Sequence, residues 1–179
     1  LASSAASDVY KRQTGYLAFW VNQEIMDEVG IESIDTKEDF MKYMEAVSKD
    51  GRFGYGGSWE KTYASNEIAQ FVNMFGGDYF DWTKEENKEA IQFLHDLVAN
   101  KETPVDQIAD KYDQMNPKIN DGKYGCWFMW GLGTDYAKAD MLGADKIHMA
   151  MVPDFSGNGE RAIFTDSWNY VLNLSLIHI

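Results

Sequence analysis

Residues Asn120–Asp135 read NDGKYGCWFMWGLGTD. An apolar, aromatic run ends at Trp130 and breaks into Gly131-Leu132-Gly133, with Thr134 or Asp135 positioned to cap a following helix. The pattern predicts a buried strand whose last wide aromatic stands beside a glycine turn and a helix N-terminus. In open α/β sheets, ligands bind just outside the carboxyl ends of the strands. Trp130 is therefore a candidate ligand contact, and the stretch points to holding a molecule rather than cleaving one.

The flanking chain repeats this grammar. Tyr16–Val21 (YLAFWV) is a second short, β-rich run, and Asn22 opens a short helix that Gly30 stops. Thr36-Lys37-Glu38-Asp39 has the form of a capping box before a helix striped by Phe40, Tyr43, Met44 and Val47. Phe53–Gly57 reads as a strand and turn. Ser65 or Asn66 is positioned to cap a helix carrying Ile68, Phe71, Val72 and Phe75, ended by Gly76-Gly77. Thr83–Glu86 reads as a second capping box, opening the longest helix with Ala90, Ile91, Phe93, Leu94, Leu97 and Val98 inward. Val105–Met115 predicts a further helix, Pro117–Gly122 a lead into the aromatic strand, and Asp135–Leu142 another helix. Ile147–Val152 and Ala162–Leu172 read as strands divided by the turn-rich PDFSGNGER. Helices alternating with short buried strands predict an α/β lobe, a central β-sheet flanked by helices.

The two ends read differently. Ser3–Gln13 (SSAASDVYKRQ) and Leu174–Ile179 (LSLIHI) resemble translations of the two strands of one transposase-type sequencing adapter. Residues 1–13 and 174–179 are accordingly expected to be foreign, leaving 14–173 as an internal slice of a longer gene. No native stretch of eighteen or more apolar residues occurs, so none is expected to span a membrane.

Composition removes several function classes. The chain holds 16 basic and 29 acidic side chains, a net charge of −13. Nucleic-acid binding depends on clustered Lys and Arg, so no nucleic-acid partner is expected. The charge lies along segments such as KEDF and KEENKE, which read as solvated helix faces. Cys126 is the single cysteine, which leaves neither an internal disulfide nor a thiolate zinc cluster; within its apolar run it reads as a small hydrophobe. GYGGSWE lacks the lysine of a phosphate loop. His95 and His148 stand alone, and no His/Asp/Glu group has metal-ligand spacing, so neither metal nor cofactor is expected. The carboxylate pairs Asp78/Asp81, Glu24/Glu28 and Asp106/Asp110 suit solvated faces, and no motif with a catalytic mechanism accompanies them.

The remaining candidates are aromatic or polar side chains at turns. Trp59 follows Gly56-Gly57-Ser58 in a loop after a predicted strand, and Tyr63 and Asn66 lead into the next helix. Trp127 and Trp130 are three apart on a strand and so face opposite sides, Trp130 being the one beside the glycines. Asp166-Ser167-Trp168-Asn169 interrupts the last strand with polar groups that need partners when buried.

The order of these pieces resembles the extracellular solute-binding proteins, family 1, of ABC importers, the sugar-type, maltose-binding-protein-like group. VNQEIMDEVGI at Val21–Ile31 is similar to the family's segment after the interlobe strand, and TKEDFMKYMEAV to its following helix. FVNMFGGDYFD resembles the helix ending in a glycine pair, and NKEAIQFLHDLVANK the helix after it. INDGKYGCWFMWG, MAMVPDFSGNG and FTDSWNYVLN are similar, in the same order, to the central strand, the proline turn and the strand returning through the hinge. The resemblance spans nearly all of 14–173. Gln23 stands where the family has lysine, and Phe164-Thr165-Asp166 replaces two glycines before the hinge strand.

The resemblance implies a type II periplasmic-binding-protein-like fold, with 14–173 forming the carboxyl-side lobe and hinge strands of a two-lobed carrier. It implies a sugar or oligosaccharide as ligand, held by Tyr63, Ser65, Asn66, Trp130, Asp166 and Trp168; Trp59 joins that set on its place in the glycine loop. Permease subunits of an importer would be the protein partners. An extracellular or periplasmic location is implied, with membrane attachment only through a lipid anchor outside this slice. The alternatives are a carrier of the same fold for a polyamine, peptide or metal complex, and a carbohydrate-active enzyme.

Overall fold

The computed structural model describes residues 14–130 and 146–167. The glycine turn and helix expected over 131–142, Trp168 with the rest of the last strand, and both end segments lie outside the described residues. In chain order the elements are β1 (Thr14–Asn22), α1 (Gln23–Val29), α2 (Lys37–Val47), β2 (Phe53–Gly56), α3 (Ala64–Met74) and α4 (Glu85–Ala99). There follow a 3₁₀ turn (Val105–Ala109), α5 (Tyr112–Asn120), β3 (Tyr124–Trp130), β4 (Ile147–Ala150) and β5 (Thr165–Ser167).

The sheet order is β2-β3-β1-β4, with β5 paired to the start of β1. β2 and β3 run parallel, and β1 is antiparallel to β3, β4 and β5. Along β1 and β3 the side chains alternate between two faces, as a period-2 strand requires. Leu17, Phe19, Val21, Tyr55, Cys126 and Phe128 turn toward α2, α3 and α4 and enter the larger core. Ala18, Trp20, Trp127 and Met129 turn the other way, onto Met115 and Ile119 of α5, and Tyr124 at the start of β3 joins them out of the alternation. Trp127 is thus wholly interior while Trp130 packs at the border of the larger core, as their spacing predicts. The larger core is an aromatic lattice in which the Phe155 ring lies 5.2–5.4 Å from those of Phe93, Phe40 and Phe75.

The short helix opens with Asn22, whose side chain accepts the Ile25 amide at 3.2 Å, and ends at Gly30 in the left-handed region (φ 71°). The Thr36–Asp39 capping box forms in full. Other expected boundaries are corrected. Thr83 does not cap α4: its amide and hydroxyl both bond Asp81 at 3.1 and 2.6 Å, and the helix starts after Lys84 without a side-chain cap. Ile91, expected inward, is 40% exposed. α3 begins after Tyr63, so Ser65 and Asn66 sit in its first turn rather than capping it.

The helix expected over Val105–Met115 is two elements. Asp110 is extended, and its carbonyl accepts the Glu60 amide and the Ser58 hydroxyl, each at 3.1 Å, which takes it out of helical geometry. α5 then runs through Pro117 to Asn120, because Met115 and Ile119, four apart, are buried under the sheet. The strand expected over Ile147–Val152 ends at Ala150, and the stretch 161–164 is irregular before β5.

The capping box gives a direct test. Thr36→Ala removes the acceptor for the Asp39 amide and is expected to cost about 1 kcal/mol in urea denaturation, with Thr36→Ser retaining most of it.

Candidate functional site

One edge of the sheet gathers the candidate residues. The parallel strands β2 and β3 both end there, and antiparallel β1 begins there, with Leu17 opposite Trp130. The Gly57–Trp59 loop leaves β2 at this edge and leads to the start of α3. β5 closes the edge: Asp166 pairs with Gly15, and the Trp130 indole lies so close to Gly15 that a Cβ there would stand 3.0 Å from the ring.

A row of half-buried aromatic rings connects the start of α3 to the segment before β5. Tyr63 and Tyr112 have centroids 4.8 Å apart, Tyr112 and Trp130 6.5 Å, and Trp130 and Phe164 6.3 Å. The Tyr112 hydroxyl faces the side chains of Asn66 and Trp130 without a hydrogen bond of full geometry, and burial raises its pKa above the ordinary phenol value. Tyr63, Asn66 and Trp130 are therefore brought together, with Tyr112 as the shared neighbour. Ser65 is exposed in the first turn of α3. Asp166 lies on the strand alongside, and Trp168 is outside the described residues.

Trp59 joins this edge through a buried polar cluster. Its indole N–H donates to Glu67 Oε2 at 2.9 Å. The Ser58 amide donates to Glu67 Oε1 at 2.7 Å, and the Tyr55 hydroxyl donates to Oε2. The loop backbone is tied to the 3₁₀ turn. Gly57 N–H donates to Gln107 Oε1 (2.7 Å), Trp59 N–H to the Gln107 carbonyl (3.1 Å) and Glu60 N–H to the Asp110 carbonyl (3.1 Å). The loop is thus tied by its backbone to the 3₁₀ turn and by the Trp59 side chain to α3.

Glu67 is fully buried, and among the described residues no Lys or Arg pairs with it. Burial pushes its carboxyl up to about 7, against the opposing pull of its three hydrogen bonds. Gln70, one turn further along α3 and equally buried, spans to the segment before β5. Its Nε2 donates to the Ala162 carbonyl (2.8 Å) and its Oε1 accepts the Phe164 amide (2.7 Å).

Glu67, Gln70, Tyr112 and Phe164 are site residues that the loop and strand signals do not single out. Glu67 and Gln70 carry a legible mark: each lies three or four residues from Phe71 or Met74 and so falls on the inward face, where a polar side chain needs a partner. Among the described residues no group of three His, Cys, Asp or Glu side chains is arranged to hold a metal ion, and no helix is long and apolar enough to cross a membrane.

The geometry defines a mixed α/β lobe that carries an aromatic-rimmed, hydrogen-bonding sheet edge. Its sequence matches the Bacterial extracellular solute-binding protein family over residues 2–175, and the chain belongs to that family. Solved structures share the fold. The D-mannitol-bound ABC transporter solute-binding protein of Agrobacterium vitis S4 superposes with a TM-score of 0.75 at 18% identity, over 88% of this chain and 40% of that one. Maltose-bound MalE3 of T. maritima gives 0.76 at 17% identity, over 87% and 42%. The laminaribiose-bound sugar transporter structure from Arthrobacter chlorophenolicus A6 gives 0.72 at 18%, over 86% and 40%. This chain thus spans about two-fifths of the length of the structures it matches. No curated protein matches it.

Linkage gives the sign of a pH effect. The native carboxyl of Glu67 sits near 7 against an ordinary value of 4.5, so the folded state holds a proton that the unfolded chain releases. Its stabilising contribution is full below about pH 4.5 and is lost as pH rises through about 7. Relative to Glu67→Gln, the native protein is expected to lose on the order of 3 kcal/mol between those limits in denaturant titrations.

Proposed function

We propose that this chain is the carboxyl-side lobe, with hinge strands, of a two-lobed substrate-binding component of an ABC importer. Residues 14–173 are the part assigned to that lobe. It binds a sugar or oligosaccharide in the cleft against a second lobe and delivers it to the permease subunits at the outer face of the membrane. A lipid anchor elsewhere in the parent protein would hold it there. The observation that carries this reading is the aromatic row at the sheet edge, with Asn66 beside it. A sugar offers an apolar C–H face to a ring and hydroxyls to amide and carboxylate groups, a mixture suited to such a rim. The related structures hold D-mannitol, maltose and laminaribiose, which supports a neutral polyol or sugar here.

Trp59, Tyr63, Asn66 and Trp130 are the contacts assigned to this lobe, with Ser65, Asp166 and Trp168 completing the set. Covering about 50 Å² of apolar sugar face is worth roughly 1–1.5 kcal/mol per aromatic. Micromolar affinity needs about 8 kcal/mol, so one or two stacks do not supply it. Hydrogen bonds and a second lobe must provide the rest, which is why closure about the hinge accompanies binding. The role assigned is carriage without turnover.

Two measurements test this. In calorimetry on the full-length protein, Trp130→Ala is expected to weaken binding of the sugar that a thermal-shift screen of maltose, laminaribiose and D-mannitol identifies, by roughly tenfold. Residues 14–173 alone are expected to bind that sugar only above millimolar concentration; submillimolar affinity for the isolated lobe contradicts the two-lobe mechanism. Product formation from chromogenic glycosides would instead assign an enzyme.

A further inference from the structure

A carboxylate buried without a cation is an expensive way to fill space, and a neutral side chain of similar volume is usually at least as stable. Glu67 is such a group, and its hydrogen bonds single out one neighbour. Tyr55 and Ser58 belong to β2 and its turn, but Trp59 is the aromatic assigned to the ligand, and its indole N–H bonds Glu67 Oε2. Gly57 leaves the room this needs, since a Cβ there would stand 2.5 Å from Trp59 Nε1 and 2.8 Å from Glu67 Oε2.

We infer that Glu67 is a positioning residue: by holding the Trp59 indole and the Ser58 amide on the two oxygens of one carboxylate, it fixes the angle at which Trp59 meets a ligand. This rests on the carrier reading above for its consequence in binding, though not for the geometry of Trp59. A charged acceptor makes a shorter and stronger bond than a neutral one, so the hold on the indole depends on Glu67 being ionised. The titratable groups facing Glu67 are Tyr55 from β2 and Tyr112 from α5, with Tyr63 beyond Tyr112 and Cys126 of β3 behind Tyr55. Burial pushes Tyr55, Tyr112 and Cys126 above their ordinary values, so they stay neutral while Glu67 changes charge. Ligand affinity is then expected to fall as pH drops through the neutral range.

The test is NMR of the indole N–H resonances in the full-length protein, labelled with ¹⁵N-tryptophan, the Trp59 signal being assigned by its loss in Trp59→Phe. The native Trp59 resonance is expected to lie downfield and to titrate between about pH 5 and 9, with its midpoint near neutrality. In Glu67→Gln it is expected to move upfield and become flat with pH, while the sugar found in the screen binds about tenfold more weakly at pH 8. A native Trp59 resonance that is flat over that range overturns the inference without any variant, which covers a Glu67→Gln protein that does not fold. A folded Glu67→Gln protein with an unmoved Trp59 signal overturns it too, as does a moved signal with unchanged sugar affinity. If the native protein binds none of maltose, laminaribiose or D-mannitol, the sugar reading fails, and the Trp59 resonance alone decides whether Glu67 positions it.

Discussion

The antiparallel pairing of β1 with β3 is the constraint on which everything else rests. It joins the first described strand to one more than a hundred residues later, in the register Leu17–Trp130 through Val21–Cys126. The Trp20 indole adds a side-chain lock by donating to the Met129 carbonyl at 3.2 Å. A slip of one residue would exchange the two faces of a strand. Phe19 and Phe128 would then leave the helices that cover them, and Trp20 and Trp127 would be driven into the aromatic lattice around Phe155. The same register fixes which end of β1 lies beside Trp130, and so where β5 meets the site.

A second constraint is polar. The loop after β2 is held by acceptors that reach it from two elements: Glu67 on α3, and Gln107 with the capping Asp110 carbonyl on the 3₁₀ turn. A loop between a strand and a helix needs such ties, because backbone outside regular structure has no ladder of its own. The arrangement also accounts for the break at Asp110. A continuous helix from Val105 to Met115 would withdraw the carbonyl that Ser58 and Glu60 use.

Much of the fold was legible because its signals are local. Thr36–Asp39, Asn22 and Gly30 are short-range devices, and each forms as their residue types require. The aromatic strand at Tyr124–Trp130 and the opposite facing of Trp127 and Trp130 follow from a two-residue period. Boundaries were lost where a distant partner decided them. Thr83 turns to Asp81, Asp110 is claimed by a loop fifty residues earlier, and Pro117 is carried inside a helix by the burial of its neighbours. The gathering of Tyr63, Asn66 and Trp130 was legible as a set of turn-proximal side chains, whereas Tyr112, their common neighbour, was hidden inside an element read as one continuous helix. Glu67 and Gln70 were legible only as polar residues on an inward helix face; their partners, a phenol, an indole and backbone groups, are set by the fold.

Gln70 carries a mechanical consequence. Both halves of its amide grip the chain just ahead of β5, one on the Ala162 carbonyl and one on the Phe164 amide, while Leu17 N–H donates to the Phe164 carbonyl from the other side. A crossbar fastened at both ends passes torque without slack. The peptide that enters β5 is thereby bound directly to α3, the helix that Tyr63 precedes and whose first turn carries Asn66.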